Sequence, residues 1–241
     1  MSRVRAVMTR ELGEYFHSPI AYAFLLVFAG AAMFTFFNVG GFFARGIADL
    51  RGLFEAAPVL MVLLVPALTM RLWAEEEKQG TIEVLLTLPA REHELVLGKF
   101  LASWILLAAG LALTLPLVVT VAWLGDLDPG PVIGGYLAAL LLGGAYLAIG
   151  QFVSATTENQ ILAFILALVV CLALYGVGTE TFAGLFPDRT AAVLRRLGTG
   201  SRFASIARGV VDLADLAYYA SLMVFFLVAS VFALRAKRMP E

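Results

Sequence analysis

The sequence predicts an all-α polytopic membrane protein, six transmembrane helices preceded by an N-terminal amphipathic interfacial helix. Three observations carry that prediction. Of the 241 residues, 61% are hydrophobic and only 15% are charged, and mean hydropathy is +0.90, well beyond the composition of a soluble domain. Six apolar runs, residues 20–38, 54–72, 100–124, 132–153, 161–178 and 216–234, approach the roughly 20 residues that a helix needs to cross about 30 Å of hydrocarbon. Ahead of the first run, Val4, Val7, Met8, Leu12, Tyr15 and Phe16 recur at helical spacing within residues 1–18, the pattern of a helix lying in a membrane interface.

The elements follow in order. Ser18-Pro19 ends the interfacial helix, because proline disfavours helical geometry in the residue before it. The mixed charges ahead of span one and the length of its apolar run differ from a signal peptide, so the residues before Pro19 are expected to stay attached. Phe34, Phe36, Phe37, Phe42 and Phe43 near its outer end read as an interface belt. Pro66 and Pro116 are expected to bend spans two and three. In span four Gly135, Ala139 and Gly143 form a small-residue stripe, suited to close packing within one subunit or at a dimer seam. Residues 19–241 thus make a single six-span domain, with 74–99 and 179–215 as its two structured connections.

Six spans put both termini on one side. Ten of the 17 Lys and Arg residues fall on that side and seven on the other, five of these in the long 179–215 connection. Because charge in long connections counts least towards orientation, both termini and the 74–99 strip are expected in the cytoplasm, in a cytoplasmic (inner) membrane.

That strip, "AEEEKQGTIEVLLTLPAREHELVLGKFLA" when read through to Ala102, is the densest run of charge in the chain. Gly80 suits the end of a helix that runs on from span two. Thr81 is placed to cap a new short helix, with Glu83 in its first turn. Ile82, Leu85 and Leu86 share one face of that helix, Leu88-Pro89 ends it, and residues 91–94 begin the helix of span three. An amphipathic helix held crosswise between two rigid spans transmits force if a soluble partner grips it. The alternative is a solvated loop whose apolar face rests on lipid.

Other function classes find little support. No basic tract is interleaved with aromatic residues, so no nucleic-acid partner is expected. Cys171, the single cysteine, falls inside span five and reads as a small buried apolar residue. Asp126, Asp128, Glu158, Glu180 and Asp188 all fall at span ends or in loops, and no Lys or Arg occurs between Lys99 and Arg189. Ion-coupled transport needs ionisable groups within the bilayer, so a proton or sodium relay is not expected. The chain lacks a G-x-x-x-x-G-K-[ST] loop, and any ATPase must be a separate chain. "HELVL" lacks the second histidine of a zinc protease, Glu92, His93 and Glu94 read as a solvated face, and Trp123 stands where an intramembrane aspartyl protease would carry glycine before Gly125-Asp126. No catalytic or metal-binding constellation is expected.

"RLWAEEEKQGTIEVLLTLPAREHELVLGKFLA", residues 71–102, closely resembles the segment joining spans two and three in ABC-2 class permeases, the type V exporter-like architecture, and six spans after an amphipathic helix fit the whole chain. "RFASIARGVVDLADLAYY", residues 202–219, resembles the branch that includes gliding-motility-associated and copper-enzyme-maturation permeases. The resemblance implies that the strip is a coupling helix docked on a cytoplasmic ABC ATPase. Its docking residues would be Glu75, Glu76, Glu77, Gly80, Thr81, Ile82, Glu83, Leu85, Leu86 and Pro89. It further implies two ATPase copies and a second copy of this chain or a homologous permease. ATP and Mg would bind the ATPase, with no cofactor held by this chain. Between spans five and six, Phe203, Ile206, Ala207, Val210, Val211 and Ala214 align on one helical face, and Phe203, Ile206, Arg208 and Val210 are a candidate outer gate or an interfacial anchor. The expected function is the permease subunit of an ATP-driven exporter in the lipid bilayer. The alternative is a mechanical or anchoring subunit that acts on an extracytoplasmic partner without moving solute, accompanied by a large extracytoplasmic auxiliary subunit.

Overall fold

The computed structural model describes residues 3–82 and 91–238. Among these the regular structure is helical throughout. Helix α1 covers Arg3–His17. The Ser18 hydroxyl accepts from Ile20 N at 3.3 Å, and Pro19 opens α2 (Pro19–Phe34), where its missing N–H costs nothing. Through a π-turn, Thr35–Val39, the chain reaches α3 (Phe42–Arg45) to complete the first crossing segment. The second is α4 (Arg51–Thr69) with α5 (Ala74–Lys78), and the third is α6 (Glu92–Ala112) with α7 (Leu115–Leu124). The fourth is α8 (Pro129–Ala155) and the fifth α9 (Gln160–Val177). Short helices α10 (Glu180–Ala183), α11 (Asp188–Leu197) and α12 (Thr199–Ala207) lead to the sixth, α13 (Leu213–Arg238). Six segments are therefore long and apolar enough to cross a membrane, as the hydropathy pattern predicts.

Helix α8 is the central post of the bundle. Ala138, Ala139, Leu142, Ala145, Tyr146, Ala148 and Ile149 are wholly inaccessible. Its small-residue stripe explains why the neighbours come so close. A Cβ at Gly135 would lie 2.4 Å from the Phe54 ring, one at Gly143 2.3 Å from Leu107, and one at Gly150 2.0 Å from Thr69 Oγ1. The stripe thus packs within one chain, against spans two and three, where close approach supplies the dispersion that lipid-surrounded helices rely on.

Proline acts differently at its two positions. Span three is interrupted at Leu113–Thr114, where Pro116 lies in the first turn of α7 and withholds the N–H that would bond back to Ala112. Thr114 steadies the break, donating to Leu111 O at 2.6 Å and pairing with the Tyr136 hydroxyl at 2.8 Å. Pro66 lies inside α4, which ends one turn later.

Two expectations fare differently. Helix α1 forms where the periodicity places it, and part of its apolar face packs on the protein. It packs along the start of α6, where a Cβ at Gly98 would meet Val7 at 2.5 Å. Tyr15 also pairs with Ser103 at 2.9 Å, and Phe16 remains 44% exposed. The other expectation is corrected: the run from Phe203 to Ala214 is not one helical face. Helix α12 stops at Ala207, and Gly209 adopts φ 89°, a conformation glycine alone takes up without strain. Val210 and Val211 follow in non-helical backbone, so Val210 leaves the face on which Phe203 and Ile206 are buried.

Candidate functional site

The face carrying both chain ends is held together by polar contacts. Span two breaks between α4 and α5, and one side chain of α8 makes the break possible. The Ser154 hydroxyl accepts from the N–H groups of Trp73 and Ala74, each at 3.1 Å, and donates to Met70 O at 3.1 Å. Its one donor and both lone pairs are therefore used on groups that a helix end leaves unmatched. The peptide then turns at Gly80, whose φ of 69° ends α5 as the sequence predicts. The Thr81 hydroxyl donates back to Glu76 O at 3.1 Å and so closes α5, while the helix it is expected to cap continues outside the described residues.

Glu75, Glu76 and Glu77 engage three different cations of the same chain. Glu75 forms a two-pronged pair with Arg71, both contacts at 2.5 Å. Glu76 reaches Lys99 of α6 at 2.6 Å, and Glu77 pairs with Lys237 of α13, 160 residues away. Lys99 also holds Glu11 of α1 at 2.9 Å and lies 5.0 Å from the centre of the Trp73 ring. Arg3 approaches Glu94 and Arg235 approaches Glu92, each at 3.8 Å. The acidic run therefore ties α5 to α1, α6 and α13.

Lys99 is the keystone, because its side chain is only 3% exposed and that of Glu11 only 8%. A cation so placed requires partners, since an unpaired charge of this kind carries a penalty of several kcal/mol. Burial pushes the Glu11 carboxyl above its ordinary value, and the nearby Lys99 ammonium pulls it part of the way back. Beneath the ion pairs lies a small apolar core of Leu72, Trp73, Ile82, Leu95, Val96, Ala155 and Leu234. Ile82 thus turns into the chain's own core.

Of the residues singled out for docking, the structure brings Glu75, Glu76, Glu77 and Ile82 into the body of the protein. It leaves Gly80 and Thr81 at the surface beside Lys78 and Gln79, facing outward with Arg91 and His93. Glu83, Leu85, Leu86 and Pro89 lie outside the described residues. Sequence reasoning missed Glu11, Trp73, Lys99 and Ser154. A signal did exist for Glu11, since it stands one turn from both Val7 and Tyr15, on the apolar stripe of α1.

At the opposite end, α12 turns into the bundle and is pinned there. Tyr219 donates to Thr199 O at 2.8 Å, and the Thr199 hydroxyl pairs with that of Tyr146 at 2.9 Å. Arg202 reaches Asp215 at 2.7 Å and lies 4.3 Å from the centre of the Tyr218 ring. Of the four candidate gate residues, Phe203 and Ile206 are brought together in the core, whereas Arg208 and Val210 lie at the surface. Among the described residues no group of His, Cys, Asp and Glu is arranged to hold a metal ion.

No curated protein matches the chain. A family match does cover residues 30–188, most of the bundle and the whole strip, under the description ABC-2 family transporter protein. The 202–219 stretch that carries the narrower resemblance lies beyond it. With six crossing segments, the strip between the second and third, and a match over well more than half of its length, the chain belongs to the ABC-2 family of transporter proteins, as a multi-pass membrane permease subunit.

Proposed function

We propose that the chain is the permease subunit of an ATP-driven exporter, energised by a separate cytoplasmic ABC ATPase that docks on the face carrying the chain ends. Membership of the family implies an ABC ATPase partner, and the charge distribution of the connections favours a cytoplasmic position for that face. The observation that carries the reading is the clamp itself. Glu76 and Glu77 tie the start of the docking strip to α6 and α13, and through Lys99 to Glu11 of α1, while Lys78 to Thr81 stay exposed at its lip. A push on the strip is thereby delivered to three helices at once. Two copies of the chain, or this chain and a homologous permease, serve two ATPases, and the exposed row Ile161, Ile165, Val169 and Leu172 on α9 offers apolar surface for that pairing.

The test is Glu83→Lys together with Leu86→Asp, which leaves every described clamp residue in place. The doubly substituted chain should insert and melt normally, and co-purified ATPase should fall by more than about tenfold, the factor corresponding to 1.4 kcal/mol of binding. Retention of the ATPase with unchanged ATP-dependent activity would mean that the strip is only a solvated connection.

A further inference from the structure

A cavity of about 600 Å³ opens between the start of α4, the end of α9 and α12, at the end of the bundle away from the proposed ATPase dock. Its mouth and its depth differ in chemistry. Of its lining residues Arg51, Glu55 and Arg208 are exposed and so mark the mouth, whereas Phe54, Pro58 and Phe203 are buried and Tyr175 is half-buried. Pro58 lies seven residues beyond Arg51 along α4, about 10 Å deeper at 1.5 Å per residue. Phe54 and Phe203 are buried as walls, at 4% and 3% exposure.

The charges at the mouth do not balance. Arg51 is held by Asp49 at 3.2 Å, and Glu55 is approached by Arg45 at 3.9 Å. Arg208 is exposed and, among the described residues, has no carboxylate within ion-pair distance. Within the lining, Arg51 and Arg208 thus face a single carboxylate, that of Glu55. A small soluble anion would satisfy Arg208 and leave the aromatic walls bare, and a neutral hydrophobe would fill the walls and leave the guanidinium unmatched. A molecule with an anionic head and a hydrocarbon tail satisfies both.

We propose that this cavity binds an anionic amphiphile, its phosphate- or carboxylate-type head between Arg208 and Arg51 and its tail along Phe54, Pro58 and Phe203. Guanidinium groups suit such a head because they present paired donors to two oxygens. The inference rests on the permease reading only for its membrane setting. Binding is measured on the full chain without any ATPase, so it fails or succeeds independently of the docking experiment.

The experiment is native mass spectrometry of the full chain released from uncharged detergent, titrated with dodecyl phosphate, dodecyltrimethylammonium or inorganic phosphate. Dodecyl phosphate should bind saturably at one per chain, and the other two should not. Arg208→Gln, a change at an exposed position, should weaken binding about tenfold, the share of one charge-assisted contact. Ala204→Trp, which fills the cavity from α12, should abolish it. If Ala204→Trp fails to fold, the Arg208→Gln comparison decides alone. Equal binding of the cationic amphiphile or of inorganic phosphate, or undiminished binding to Arg208→Gln, overturns the proposal.

Discussion

Lys99→Met is expected to destabilise the chain by about 3–5 kcal/mol, the usual penalty for removing one partner of a buried ionic group. The cause is specific. Glu11 and Glu76 converge on Lys99 at 2.9 and 2.6 Å, and with the ammonium gone two carboxylates face one another beside the Trp73 ring. The penalty should depend on pH. Burial already lifts the Glu11 carboxyl, and loss of Lys99 lifts it further. An acid whose folded value is raised contributes stability that is complete below its unfolded value and is lost as pH rises through the folded value. The variant should therefore lose more stability at pH 8 than at pH 5. Glu11→Gln in the same background should restore much of the loss, because it removes one of the two stranded charges, whereas Glu11→Gln alone should cost far less than Lys99→Met. Thermal unfolding of the four proteins at both pH values completes the cycle. Additive effects and equal losses at pH 5 and pH 8 would show that the triad is not coupled.

Gly198→Ala should be the most damaging single methyl group at the other end. Its Cβ would fall 2.1 Å from both N and Cα of Gly178. The clash is with backbone at the end of α9, so no side-chain rotation relieves it. Overpacking typically costs about 1–3 kcal/mol where side chains share the adjustment, and here the upper end or more is expected. The added methyl should force α12 away from α9, strain the Thr199 contacts with Tyr146 and Tyr219, and speed tryptic cleavage after Arg196. Gly176→Ala, where the added carbon meets nothing within 4 Å, is the control and should behave as the parent. Equal melting and equal cleavage of the two variants would show that α12 is not seated by this contact.

These two sites mark the boundary of what the sequence makes legible. Spans, caps and turns are local, and they were readable: apolar length sets the crossing segments, Ser18-Pro19 divides α1 from α2, and Gly80 ends α5 because its left-handed backbone suits glycine. The break in span three is read correctly at Pro116 as a disturbance, though not as an interruption. Partners far apart in the chain leave no such trace. Nothing in "AEEEK" says that its carboxylates meet Arg71, Lys99 and Lys237 of the same chain, because a side chain's partner is set by tertiary packing. The run across Gly209 misleads for the opposite reason. The spacing of Phe203, Ile206, Val210 and Val211 looks helical through a residue whose φ of 89° ends the helix.

In the proposed function the strip between spans two and three receives the ATPase and passes the load to α1, α6 and α13 through the Glu76 and Glu77 clamps. Hydrogen exchange of the permease, alone and bound to its ATPase in the same detergent, tests this most directly. Slowed exchange over residues 78–94 on binding, with slower exchange in α1 as well and no change in α12, is the predicted result. Unchanged exchange across 78–94 in a complex that nonetheless hydrolyses ATP would contradict it.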